Sequence, residues 1–260
     1  MTSFDRAADI YDQTRGFPQN VGEQVAQALV SLLNLSPLDR VLEIGIGTGR
    51  IAKPLIEILG NGHHLTGIDL SRNMMDRLRA KFDSARPPDL IQGDAASLPF
   101  ASHSFQAIIT VHVLHLIRTP QKVIAEMSRV RAQGGVFVGG WNDHNPDSVA
   151  ERINKKFRAL ASAHGVSTER QGLANYSDLL QHLPTASATE IVAAEWTVER
   201  APRFALQAIA ERHYSSSWII PDSIFPSVLA EINEWASKEW GDLDRAVPDD
   251  RRFKWMKIEF

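Results

Sequence analysis

The chain has 260 residues, 43% of them hydrophobic and 23% charged, with a formal net charge of -3. That balance suits a globular protein with a sizeable core, and nothing in it advertises a polyanionic partner such as nucleic acid. There is no cysteine, which excludes disulfides, thiolate metal sites and cysteine nucleophiles.

The N-terminal stretch MTSFDRAADIYDQTRGFP carries charges throughout and lacks the apolar core of a signal peptide. No apolar run approaches the ~18 residues of a membrane-crossing helix, so a cytoplasmic protein with no membrane partner is expected. Tyr11 and Arg15 lie four apart and would share one helix face. RVLEIGI is short, apolar and β-branched, as a strand buried on both faces should be. RIAKPLIEILG follows with Ile51, Leu55, Ile58 and Leu59 at helical spacing and a stop at Gly60. Pro54 falls near the start of that helix, where proline is tolerated.

HHLTGIDL predicts a second strand, ending in Asp69, and SRNMMDRLRAKF a helix capped by Ser71. PDLIQGDAASLPF predicts a strand and then a loop. FQAIITVHVL is a strand, TPQKVIAEMSRVRA a helix and GGVFVGGW another strand. Alternation at this spacing implies a parallel sheet with right-handed crossovers. After Trp141 the rhythm changes. DSVAERINKKFRALASAHG and NYSDLLQHL predict helices, ATEIVAAEWTVERAP a strand, residues 203–245 mostly helix, and RRFKWMKIEF a closing strand. Trp218, Phe225, Trp235 and Trp240 recur near helical turns, where packing the helices onto the core is their expected role.

The loop between the first strand and helix holds glycines at alternate positions: Gly45, Gly47 and Gly49. A loop at the carboxyl end of a parallel strand is where open α/β sheets bind ligands, and glycine lets a ligand approach the backbone. A P-loop needs Lys-Ser or Lys-Thr after its last glycine, whereas Arg50 and Ile51 stand here. The dinucleotide fingerprint wants a small residue where Arg50 stands, and Glu43 would set a negative charge close to a pyrophosphate. A nicotinamide oxidoreductase is therefore disfavoured, and a cationic ligand is favoured.

The pattern Glu43-x-Gly45-x-Gly47-x-Gly49 resembles motif I of the class I S-adenosylmethionine-dependent methyltransferases. Asp69 stands where that family places a carboxylate for the ribose hydroxyls. GDAASLPF resembles the segment in which an aspartate, here Asp94, accepts the adenine amino hydrogen while the N–H of Ala95 reaches the ring. SFQAIITVHVLHLI resembles the fourth strand, and VIAEMSRVRAQGGVFVGGW the helix and fifth strand. The resemblance runs from about Val41 to Trp141. FDRAADIYDQTRGFP resembles the pre-core helix of the UbiE-like small-molecule group. Two positions depart from the pattern: VRAQGG lacks the usual proline before its glycines, and Gln106 replaces a common aspartate.

The resemblance implies an α/β fold, a Rossmann-like doubly wound seven-stranded sheet, mostly parallel with an antiparallel last strand, plus helical lid insertions. One methyltransferase domain would span 1–260, with its core at 21–141, 186–202 and 251–260 and lid segments at 1–20, 145–182 and 203–250. The expected cofactor is S-adenosyl-L-methionine, contacted by Tyr11, Arg15, Glu43, Gly45, Gly47, Gly49, Asp69, Leu70, Met74, Asp94, Ala95 and Val111. Arg15, and less so Arg50, could pair with the methionine carboxylate. His112 and His115 are candidate catalytic residues, His115 with a structural role favoured. No metal site is expected.

The expected partner is a small-molecule methyl acceptor, with oligomeric state undetermined. Amine methylation of nucleic acids uses an Asn/Asp-Pro-Pro-aromatic motif where this chain has TVHVLH, and cytosine C5 methylation needs a cysteine. The alternative is an S-adenosylmethionine-binding protein without transferase activity, serving a regulatory or partner-binding role.

Overall fold

The computed structural model describes residues 5, 8, 11–18, 20–82, 86–168, 172–173, 175–183 and 185–260. Residues 4, 6, 7, 9 and 10 of the expected pre-core helix lie outside the described residues. Its remainder forms the short helix α1 (Tyr11–Arg15), and α2 spans Val21–Leu33. The alternating half then follows as β1 (Arg40–Ile44), α3 (Ala52–Leu59), β2 (His64–Asp69), α4 (Arg72–Arg79), β3 (Asp89–Gln92), β4 (Phe105–Val111), α5 (Pro120–Val130) and β5 (Arg131–His144). The later half holds α6 (Val149–Ala163), β6 (Ser187–Arg200), α7 (Pro202–Ala210), α8 (Ser215–Trp218), α9 (Phe225–Trp240) and β7 (Val247–Glu259).

The strands make one seven-stranded sheet in the order β3-β2-β1-β4-β5-β7-β6. Pairings β1–β2, β1–β4, β2–β3 and β4–β5 are parallel, and the last strands are antiparallel. The strand order reverses beside β1, which sends β2 and β4 to its two sides. This is the switch point at which such sheets open a crevice for ligands.

β1 is buried from Val41 to Ile44 because it lies between two strands with helices on both faces. Gln106 has a visible role at the edge of this pairing, its Oε1 accepting the Arg40 N–H at 2.8 Å. β4 stops at Val111, three residues before the end of the apolar run that predicts it. His112 turns to φ 55 and Leu114–Leu116 form a 3-10 turn. NYSDLLQHL is likewise a 3-10 helix, Tyr176–His182, opened by a capping box between Asn175 and Asp178.

The chain divides into two compact units. The first comprises residues 1–141, 170–194 and 253–260, and the second residues 142–169 and 195–252. The core of the first gathers Leu42, Ile44, Ile68, Ile108, Val123, Phe137 and Ile258 from the sheet and its helices. Trp255, fully buried, donates its indole N–H to the Val25 carbonyl at 2.9 Å, tying β7 to α2. The second unit has its own core of Ile153, Phe157, Leu206, Ile209, Val228 and Ile232, drawn from α6, α7 and α9. Phe225, Trp235 and Trp240 pack into this second core, and Trp218 donates to the Arg212 carbonyl at 2.5 Å. Phe225, Trp235 and Trp240 thus serve the helical unit's own interior. Among the described residues no helix is long and apolar enough to cross a membrane.

Candidate active site

The site is built at the carboxyl ends of β1, β2 and β4. Gly45, Gly47 and Gly49 sit at φ 72, 55 and 80, a left-handed course that glycine follows without steric cost. A Cβ at Gly45 would stand 2.1 Å from Val113 Cγ2, and one at Gly49 2.1 Å from Leu78 Cδ1. At Gly47 the nearest side-chain atom would be Met74 Cε, at 3.7 Å. Two of the glycines therefore permit close packing, and at the middle one a Cβ would meet only ordinary van der Waals contact.

Asp69 organises that backbone. Its Oδ2 accepts the Gly47 N–H at 2.9 Å and its Oδ1 accepts the Ser71 N–H at 2.8 Å. Burial pushes its carboxyl up from the usual range, while the hydrogen bonds from Ser71, Gly47 and Leu70 oppose that shift. Ser71 caps α4, its Oγ accepting the Met74 N–H at 3.2 Å, and also donates to Asp5. From the opposite side Asp12 of α1 accepts the Thr48 hydroxyl at 2.5 Å and pairs with Lys81 Nζ at 2.6 Å. Asp5 is thereby tied to the start of α4, and Asp12 to the glycine loop.

Glu43 is 2% exposed, and its Oε2 finds no hydrogen-bond partner among the described residues. Burial first, and the charge of Asp69 second, hold its carboxyl well above the ordinary glutamate range. An uncompensated buried acid beside a second acid disfavours an anionic ligand there and suits a cation.

A cavity of about 90 Å³ opens over Gly47. Of the residues expected at the cofactor, Tyr11, Gly45, Gly47, Asp69, Leu70, Met74, Ala95 and Val111 line it, and His112 joins them. Arg15, Glu43, Gly49, Asp94 and His115 are not among its lining residues. Asp94 is exposed and closes its own turn, its Oδ1 accepting the Ala96 N–H at 2.8 Å. His115 lies in the 3-10 turn, where its carbonyl accepts the Gly172 N–H at 3.2 Å. Arg50 stacks its guanidinium 3.7 Å over the Phe17 ring.

Six lining residues were not picked out by the sequence reading: Ile44, Ile68, Gly93, Val113, Leu116 and Ile117. The spacing of Val113, Leu116 and Ile117 carried the signal, since three and four apart is one face of a helical turn. A broader groove of about 560 Å³ runs past Asp12, Phe17, Arg50, Lys53 and Lys81. Its cations are already held, Lys53 by Glu57, Lys81 by Asp12 and Arg50 on Phe17. The smaller cavity, at the carboxyl ends of β1, β2 and β4, holds most of the residues expected at the cofactor.

Behind β4, Tyr176 donates its hydroxyl to the Thr110 carbonyl at 2.8 Å and stacks on Trp141 with ring centroids 5.6 Å apart. Gly139 makes room for that ring, for a Cβ there would lie 2.1 Å from Tyr176 Cδ1. Burial raises the Tyr176 phenol far above its usual range, so it stays a neutral donor that fixes the strand end ahead of His112.

Comparison with known proteins fits this geometry. Residues 42–139 match the family described as a methyltransferase domain. The demethylmenaquinone methyltransferase of Renibacterium salmoninarum is 33% identical over 138 residues, 52% of this chain and 55% of that protein. The phosphatidylethanolamine N-methyltransferase of Cereibacter sphaeroides is 32% identical over 131 residues, 48% of this chain and 63% of its own. The chain thus spans little more than half the length of these curated relatives. In structure, a Haemonchus contortus N-methyltransferase solved with S-adenosylhomocysteine aligns with a TM-score of 0.54 at 13% identity, covering 100% of this chain and 61% of its own. That likeness concerns the fold.

Residues 42–139 of the chain thus carry the sequence pattern of a methyltransferase domain. Aligned stretches of the chain are 33% and 30% identical to demethylmenaquinone methyltransferases, and the resemblance implies S-adenosyl-L-methionine as the bound group. The residues present fit that group: Gly47 lining the cavity, a carboxylate at the end of β2, and buried Glu43 in place of any phosphate-binding cation.

Proposed function

We propose that the protein transfers a methyl group from S-adenosylmethionine to a small organic acceptor. The observation that carries this reading is the cavity lined by the Gly47 backbone and by Asp69, whose carboxylate accepts the Gly47 N–H. Bound S-adenosylmethionine supplies an electrophilic methyl on a sulfonium. The chain's part is to hold the reacting atoms in line, within about 3–3.5 Å, and to keep water out.

We assign Asp69 to the ribose, Asp94 to the adenine and Glu43 to the positive charge, which favours the ionised carboxyl that burial otherwise disfavours. Tyr11 covers the cavity, and Arg15 is the partner for the methionine carboxylate. Of the two candidate histidines His112 lines the cavity, so we assign it any proton removal from an acceptor hydroxyl. Ligand pockets usually enclose ~300–1,000 Å³. A cavity of about 90 Å³ is smaller than that, so we propose that its lining gives way when the cofactor binds. The relatives are named for acceptors as unlike as demethylmenaquinone and phosphatidylethanolamine, so we place acceptor choice outside the matched span. We retain a single methyltransferase domain with lid segments at 1–20, 145–182 and 203–250 as part of the same reading.

Calorimetric titration with S-adenosylmethionine tests the reading, with NAD as the control. Micromolar binding that Asp69→Ala weakens at least tenfold, about 1.4 kcal/mol, is the expected outcome, followed by label transfer from methyl-tritiated cofactor to a panel of small acceptors. Preference for NAD, or an Asp69→Ala variant that binds as tightly as the wild type, would overturn it.

A further inference from the structure

Four arginines of the second unit are neutralised in the ordinary way. Arg152 pairs with Glu239, Arg203 with Asp244, Arg212 with Asp222 and Arg252 with Asp143. Arg200 is different. It closes β6, is half-buried, and holds its Cζ 4.4 Å over the ring of Phe204 in α7. Its electrostatic neighbours are Arg251, Tyr214 and Asp249, and among the described residues no acceptor hydrogen-bonds its guanidinium.

Asp249 is already taken. Its Oδ2 accepts from Arg251 Nε at 2.9 Å and Nη2 at 2.5 Å, and the two side chains are only 7% and 15% exposed. The cluster therefore sets two guanidinium groups against one carboxylate, with both lone-pair directions of the engaged oxygen spent on Arg251. Burial above all, and then the like charge of Arg251, disfavour the Arg200 cation. A half-buried arginine stacked on an aromatic ring keeps its planar edge of N–H donors free to meet a two-oxygen acceptor. Oxyanions of the carboxylate and phosphate type have that shape and supply the missing charge.

We propose that Arg200, stacked on Phe204 and flanked by Arg251, is the anchor of a binding site for the oxyanion of a small acidic ligand in the second unit. The proposal concerns this unit alone and stands whether or not the chain transfers a methyl group.

Thermal unfolding of the full chain tests it, in inorganic phosphate, in succinate and in sodium chloride at matched ionic strength, with no cofactor added. At least one of the two oxyanions should raise Tm by a few degrees with saturation, whereas chloride should not. A response to phosphate alone identifies a phosphoryl ligand, and one to succinate alone a carboxylic acid. Arg200→Gln should lose the response and, relieved of a like-charged neighbour, be at least as stable as wild type without oxyanion. Equal responses to all three salts mean ionic strength only and overturn the proposal, as does a response that Arg200→Gln retains. Should that variant fail to fold, the arginine Nε–Hε resonances of the wild type decide. Two of them should move along one saturable isotherm with the same oxyanions, and a uniform drift or no movement would sink the site.

Discussion

The three glycines of the first loop share a backbone conformation but differ in what a side chain would meet, and substitution should separate them. Alanine at Gly45 or Gly49 pays about 1–2 kcal/mol for the left-handed backbone and then collides with Val113 or buried Leu78, which adds about 1–3 kcal/mol of repacking. Alanine at Gly47 meets only the backbone cost, yet it projects into the cavity. Denaturant unfolding should rank Gly47→Ala as the mildest of the three, while calorimetry ranks it among the worst for S-adenosylmethionine binding. Glu43 makes a prediction in pH. The folded state holds its proton more tightly than the unfolded chain does, so stability declines as pH rises from the ordinary glutamate range toward the raised folded value. Glu43→Gln removes the ionisation. Its stability relative to wild type should therefore grow with pH above that range and show no such trend below it, in paired denaturation series. A gap that is flat with pH would mean that Glu43 is ionised at no cost.

Among the elements, α4 depends on its first residue. Ser71→Ala removes the acceptor for the Met74 N–H and should cost about 1 kcal/mol, read by denaturant unfolding. It also removes the hydroxyl that donates to Asp5. The serine was readable from sequence because a cap followed by an apolar helical pattern is a local signal, and so were β1, α3, β2 and α5. The apolar run FQAIITVHVL misled by its length. Its last three residues keep a strand's composition, but His112 turns to positive φ and the strand ends there for a reason no local pattern shows. Arg15 and Asp94 were placed by their position in a pattern, which fixes sequence spacing and leaves side-chain direction open. The neighbours of Arg200 were illegible for a plainer reason: only Phe204 is near it in sequence, and Tyr214 and Arg251 reach it from later stretches of chain.

At the scale of the molecule, the first unit is completed from far along the sequence. β7 lies between β5 and β6, and Phe253, Trp255 and Ile258 are all fully buried. Trp255→Phe keeps the aromatic bulk but leaves the Val25 carbonyl without its donor, at a cost of about 1–3 kcal/mol in denaturant unfolding. Removing residues 253–260 outright should leave a chain that does not fold cooperatively by circular dichroism. The same arrangement bears on synthesis. While a ribosome is still adding these residues, β5 and β6 wait with an empty slot between them, and the slot is lined for tryptophan and phenylalanine. A nascent chain in that state offers unpaired strand edges and apolar surface to every neighbour. Stalling within this stretch therefore hands the chain to chaperones or aggregation, however well its cofactor loop has formed.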